Sequence, residues 1–185
     1  MVIFYWISIQ YTNTWQSWTA RSAKLVNQVD AEVLIYLPPA QETTWVDDML
    51  AEVVEITDRE GYNLIVVRDL EAESPIASTI RSEVPQGSPA LCYYHSAFET
   101  YTCYEESLDA VNSVTPGMVL VWLRLQELQM QLMAFESFYR EVPQAMDEEE
   151  IVSFMTGTME EIEYFKQLFA DYKRMNQQGR HEDEL

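Results

Sequence analysis

Ala31 to Val67 reads AEVLIYLPPAQETTWVDDMLAEVVEITDREGYNLIVV. Ala31 to Leu37 is a short apolar run, and Pro38-Pro39 stops it, because proline fixes φ and has no N–H to donate to a ladder. Thr44-Trp45-Val46-Asp47 has the spacing of a helix capping box, with Asp in the place of Glu. Met49, Leu50, Val53, Val54 and Thr57 then recur at helical spacing, and Gly61 stands where a left-handed residue ends a helix. Leu64-Ile65-Val66-Val67 is a second continuous apolar run, the pattern of a strand covered on both faces. Strand, helix and strand at this spacing predict a parallel crossover, right-handed by the usual steric rule.

The rest of the chain is read around that unit. Residues 2–11 are β-branched and aromatic and predict a strand; residues 14–28, with Trp15, Trp18, Leu25 and Val26, predict a helix. Residues 71–89 hold three prolines, several serines and Gly87, and read as the longest irregular stretch and the best internal boundary. Ala90 to Tyr104 is aromatic-rich and predicts a strand or hairpin. Residues 105–114 are polar, a short helix or loop.

Thr115-Pro116 has the form of a helix start, Thr as N-cap and Pro at the first helical position, for a helix running to about Glu141. Met118 to Leu123 is apolar around the whole circumference, which implies burial on every side, in a core or in a dimer seam. Pro143 ends that helix. Asp147-Glu148-Glu149-Glu150 caps a last one, where carboxylates suit the positive end of the helix dipole. Its inward stripe is Ile151, Met155, Ile162, Phe165, Phe169 and Tyr172, and it frays after Gln177. The fold class is α/β or α+β: a small, partly parallel sheet with flanking helices, plus a C-terminal two-helix hairpin. Residues 1–104 form the sheet domain, and 105–185 a helical region packed on it as one compact unit.

Charge narrows function more than any motif does. The chain of 185 residues has 31 Asp and Glu against 11 Lys and Arg, a formal net charge of -20. Apolar residues make up 48% and aromatics 12%, far too much for an acidic disordered tail. Such a chain repels nucleic acid and anionic membrane and attracts basic surfaces. The most apolar stretch, Ala110 to Leu123, has only 14 uncharged residues, too few to span a bilayer. No leader sequence is visible, and Cys92 and Cys103 read as reduced thiols, so the expected location is the cytoplasm, that of the bacterial host if a phage encodes the chain.

The charge is patterned. Residues 42–73 hold ten carboxylates and two arginines, and residues 147–165 hold seven carboxylates and no cation. Asp48, Glu52 and Glu55 fall at i, i+4, i+7, opposite Leu50, Val53 and Val54. Glu149, Glu160, Glu163 and Asp171 share a face in the same way. Like charges on one face cost a few tenths of a kcal/mol per pair. Interleaved Lys would relieve them, but the chain has only Lys24, Lys166 and Lys173.

Rows of carboxylates on rigid helices imitate a nucleic-acid backbone, which carries one charge per roughly 3.4 Å of each strand. The leading expectation is therefore an acidic inhibitor that blocks a basic, nucleic-acid-binding protein by charge mimicry, of the phage-borne anti-restriction or anti-CRISPR type. The candidate contact residues are Asp47, Asp48, Glu52 and Glu55, then Glu148, Glu149, Glu160 and Glu163. Solvated surface and salt adaptation are the plain alternatives, although the eleven Tyr, seven Phe, five Trp and nine Met do not suit the latter.

An immunity or adaptor protein for a basic partner such as a toxin nuclease uses the same electrostatics, with aromatic anchors supplying the affinity. A homodimer through the 118–141 helix is compatible with either. The third reading is a metal-dependent enzyme. Asp69, with Glu71 and Glu73, follows a strand's carboxyl end, where functional acids lie in open sheets. Yet there is no phosphate loop, no Walker Lys and no dinucleotide fingerprint, so the chain is read as non-enzymatic and without cofactor. Cys92, His95, Cys103 and His181 form a weak four-ligand zinc set; buried thiols beside a turn histidine are the plainer reading.

Overall fold

The structure, a computed structural model, describes residues 32–39, 44–59, 64–68, 75–85, 87–95, 100–105, 108, 113–141 and 147–183. The strand expected over 2–11 and the helix expected over 14–28 lie outside them. The chain divides into two compact units, residues 1–112 and 113–185.

In the first unit, Glu32–Leu37 is strand β1, Thr44–Arg59 helix α1 and Leu64–Arg68 strand β2. β1 and β2 pair in parallel, Val33 opposite Ile65 and Ile35 opposite Val67. This is the crossover predicted from the two apolar runs. α1 buries Val46, Met49, Leu50, Val53 and Thr57 and packs against β2. The Thr57 hydroxyl donates back to the carbonyls of Val53 and Val54, both at 3.0 Å, which satisfies a polar group on a buried face.

Pro75–Glu83 forms helix α2, inside the stretch read as irregular and as a boundary. Pro75 does not break this helix. It occupies the first helical position, where its missing N–H costs nothing, and Ile80 is fully buried in the sheet's core. The first compact unit runs through this region. A turn follows, closed by the Ser88 N–H donating to the Pro85 carbonyl at 3.0 Å. Gly87 sits in it at φ 85°, a left-handed conformation that side chains other than glycine's disfavour.

Ala90–His95 is β3 and Thr100–Cys103 is β4, the hairpin expected in the aromatic segment. β3 pairs antiparallel with β1 on one side and with β4 on the other, so the mixed sheet runs β2-β1-β3-β4. Val33, Ile35, Leu37, Ile65, Val67, Ala90, Cys92 and Tyr94 gather on one face with Ile80 of α2. The alternate residues Leu34, Tyr36, Val66, Leu91 and Tyr93 are buried too. Burial on both faces is what the unbroken apolar runs require.

The second unit is a pair of helices, α3 at Pro116–Glu141 and α4 at Glu148–Asp183. The Thr115 hydroxyl accepts from the Met118 N–H at 3.3 Å, the predicted N-cap. Asp147 and Glu150 close a reciprocal capping box: the Glu150 N–H donates to Asp147 Oδ1 at 2.8 Å, and the Asp147 N–H to Glu150 Oε2 at 3.2 Å. Gly117 meets Tyr172, Arg124 meets Glu161 and Phe135 stacks on Phe154, so the helices run antiparallel. Leu125, Leu128 and Ile162 form the seam with Leu132, Phe165 and Phe169.

Met118, Val119, Val121, Trp122 and Leu123 are buried within the single chain. The all-round apolar segment is therefore core, and the part of α3 open to a second copy is its exposed C-terminal half. α4 continues helically to Asp183, past the fraying expected after Gln177.

Candidate protein-binding surface

α1 carries the predicted anionic row on a helix whose opposite face is buried. At 100° per residue, Asp48, Glu52 and Glu55 lie within a narrow sector opposite Val46, Leu50, Val53 and Thr57. All three are exposed, and the four facing residues are buried. Seven residues at 1.5 Å each place the three charges along about 10 Å of axis. The spacing is looser than along a nucleic-acid strand but of the same order. Asp48 and Glu52 have no ion-pair partner among the described residues. Glu55 accepts from Arg59 at 3.1 Å, so the row ends in a guanidinium. Asp47 is apart from it: it stands in the helix's first turn, half-buried.

The row on α4 is sparser. Glu149, Glu160 and Glu163 are exposed on one sector of the helix, but about 16 Å of axis separates Glu149 from Glu160. Glu163 accepts from Lys166 at 2.6 Å. Asp171 pairs with Arg174 and accepts from Gln167 at 3.0 Å. Glu148 is exposed but about 100° around the helix from Glu149. The relief judged missing in the sequence is thus partly supplied by i+3 and i+4 pairs, which a search for lysines alone overlooks. Of the eight candidate acids, the structure brings Asp48, Glu52 and Glu55 together, and spreads the others.

Two cations are used structurally. Arg124 bridges Glu127 at 2.6 Å and Glu161 at 3.2 Å, tying α3 to α4. Burial works against its charge, but the two carboxylates outweigh that and raise its pKa. Lys173 lies over the Phe169 ring, 5.6 Å from its centre, a cation–π distance. In the first unit, burial and a hydrogen bond to Glu83 push the Tyr101 phenol up to about 12.

The sulfur chemistry differs from the expectation. Cys92 and Cys103 stand directly opposite each other on β3 and β4 and are joined as a disulfide. Neighbouring antiparallel strands bring such pairs within reach of one another. A bonded pair offers no thiolates, so the Cys92, His95, Cys103 and His181 zinc set is not assembled, and among the described residues no His, Cys, Asp and Glu group could hold a metal. The reduced-thiol premise for a cytoplasmic location falls with it. Asp69, Glu71 and Glu73, the acids of the enzymatic reading, lie outside the described residues.

No helix among the described residues is long and apolar enough to cross a membrane. No protein-family model matches the chain, and neither a curated protein nor a solved structure matches it.

One feature escaped the sequence reading. Phe138 and Phe154 are 49% and 37% exposed, and Tyr139 and Tyr164 of the same helices are exposed as well. Phe154 continues the seam-facing side of α4 in sequence.

Proposed function

We propose that this chain is an acidic inhibitor that occupies the nucleic-acid site of a basic protein, with the α1 row standing in for backbone phosphates. The observation that carries the reading is the triplet Asp48, Glu52 and Glu55, exposed on one face of a helix whose opposite face is anchored in a core. The backbone that carries them is already ordered, so binding costs only the freedom of the side chains themselves. Complementary charge steers encounter and makes association fall steeply with salt. The natural setting is a phage-encoded blocker of a bacterial restriction or CRISPR enzyme, acting in the host cytoplasm. The α1 row lies on a different element from the Cys92–Cys103 bridge, so the reading does not depend on that bridge.

The test is affinity capture from bacterial lysate at low and high salt. Wild-type protein recovers nucleic-acid-binding proteins at low salt only, and a variant with Asp48, Glu52 and Glu55 all changed to Lys recovers none of them. A triple variant that captures the same proteins as wild type would show that this face is not the site. The exposed Phe138 and Phe154 favour a second reading, an immunity or adaptor protein in which aromatic anchors supply affinity for the basic partner. Under it, Phe138→Ala weakens capture more than the triple reversal does.

A further inference from the structure

The free end of the α3–α4 hairpin has an aromatic surface that the charge pattern does not account for. Phe135 and Phe138 are three residues apart on α3 and so lie on neighbouring positions of one side. Phe154 of α4 stacks on Phe135 with ring centres 4.3 Å apart. Arg124 and Glu161 pair across the same flank of the seam, and Glu161 is two turns along α4 from Phe154. Phe135 and Phe154 thus meet across the seam, and Phe138 extends them by one turn along the flank of α3, with Phe138 and Phe154 half-exposed. A shallow recess lined by Glu149, Glu150, Ser153 and Phe154 adjoins it.

A large exposed aromatic desolvates poorly in isolation, and a strip of them rimmed by charge is a feature of interaction sites. The rim decides the occupant. Among the described residues, the charged ones that line the recess, Glu149 and Glu150, are acidic, in a chain of net charge -20. A second copy would bring those carboxylates against their own kind, which opposes docking. An anionic membrane is repelled for the same reason. An exposed apolar strip on a helix pair offers a face on which a third helix can lie, read through apolar residues at i, i+3, i+4 and i+7. We infer that the Phe135–Phe138–Phe154 strip is a docking surface for a basic amphipathic helix of a protein partner, its apolar face on the phenylalanines and its Lys or Arg on Glu149 and its neighbours. This rests on the reading that the partner is a basic protein.

The probe is a fluorescein-labelled Leu/Lys peptide of about five helical turns, with leucines at i, i+3, i+4 and i+7. Its control keeps every lysine and replaces each leucine by serine. Anisotropy titration should show the Leu/Lys peptide binding the full chain at low salt, and the Lys/Ser peptide binding more than about tenfold more weakly. Phe138→Ala should cost more than about tenfold, and Glu149→Lys should weaken binding and flatten its salt dependence. Glu150 is left alone because it closes the capping box. Phe138 is used before Phe154 because it is the more exposed of the two and has no stacked ring to lose; circular dichroism confirms that helix content is unchanged.

Equal binding by Phe138→Ala and by the Phe138→Ala, Phe154→Ala pair would overturn the inference, as would equal affinity for the two peptides. So would sedimentation showing a dimer that Phe138→Ala dissolves, since a second copy would then cover the strip. The Asp48, Glu52 and Glu55 reversal, run in the same titration, should leave peptide affinity within about threefold, because those acids are on another element. Failure at the hairpin therefore leaves the α1 test standing, and failure at α1 leaves the peptide result standing.

Discussion

Tyr101 shows how far one residue's chemistry depends on a neighbour that the sequence does not place beside it. Its phenol is half-buried on β4 and hydrogen-bonded to Glu83, at the end of α2, and both effects disfavour phenolate. An ordinary tyrosine ionises near 10, and this one is pushed up to about 12. A raised folded-state pKa means that the neutral phenol contributes stability in full below pH 10, and that the contribution is lost as pH rises through 12. Ultraviolet titration of phenolate should show one tyrosine that ionises late in wild type and is missing in Tyr101→Phe. A profile unchanged by that substitution would dismiss the assignment.

Gly117 is a second such case. A Cβ there would lie 3.0 Å from a ring carbon of Tyr172, so Gly117→Val should destabilise the hairpin by about 1–3 kcal/mol, through overpacking, measured by urea unfolding. Neither contact is legible in sequence, because each joins residues brought together only by tertiary register. The cysteine pair is the clearest example. Their number and spacing suit two free thiols as well as a bridge. Only the pairing of β3 with β4 sets Cys92 opposite Cys103.

At the scale of elements, local signals were read best where a motif satisfies its own backbone groups. Thr115-Pro116 and Asp147-x-x-Glu150 announce helix starts because the capping chemistry lies within four residues. The structure shows both sets of hydrogen bonds. Asp147→Ala should therefore cost about 1 kcal/mol, with helical signal lost first from the start of α4; no change in the unfolding midpoint would mean that the box is idle. α2 was missed for the converse reason. It is nine residues long and rich in Ser and Thr, and its anchorage in the sheet core rests on Ile80, too little periodicity to outweigh the prolines around it. The disulfide between β3 and β4 is a cross-link on the same scale. It closes a segment of sequence separation 11, and a double Cys92→Ala, Cys103→Ala variant should lose roughly 2–3 kcal/mol by the loop-entropy account. Thiol titration of unfolded wild type should find reactive thiols only after reductant is added.

Across the whole molecule, the question is whether the excess of carboxylates costs stability that only function would retain. Composition made the excess plain, and helical spacing made the α1 row plain. What it did not reveal was how many acids already have cations, because pairs such as Glu163–Lys166 and Glu127–Arg124–Glu161 need side-chain geometry. Glu52 is the residue on which the question turns. It is exposed, has no ion-pair partner among the described residues, and lies between Asp48 at i−4 and Glu55 at i+3. Glu52→Gln keeps its size and removes two like-charge neighbours. It should stabilise the fold by about 0.2–0.5 kcal/mol at low salt, and the gain should vanish at high salt as screening shortens the reach of the charges. If the row is a binding surface, the same substitution weakens low-salt capture of the basic partner, so that stability and binding move in opposite directions. If the acids are only hydrated surface, Glu52→Gln gains stability and loses no binding, and the charge-mimicry reading fails with it.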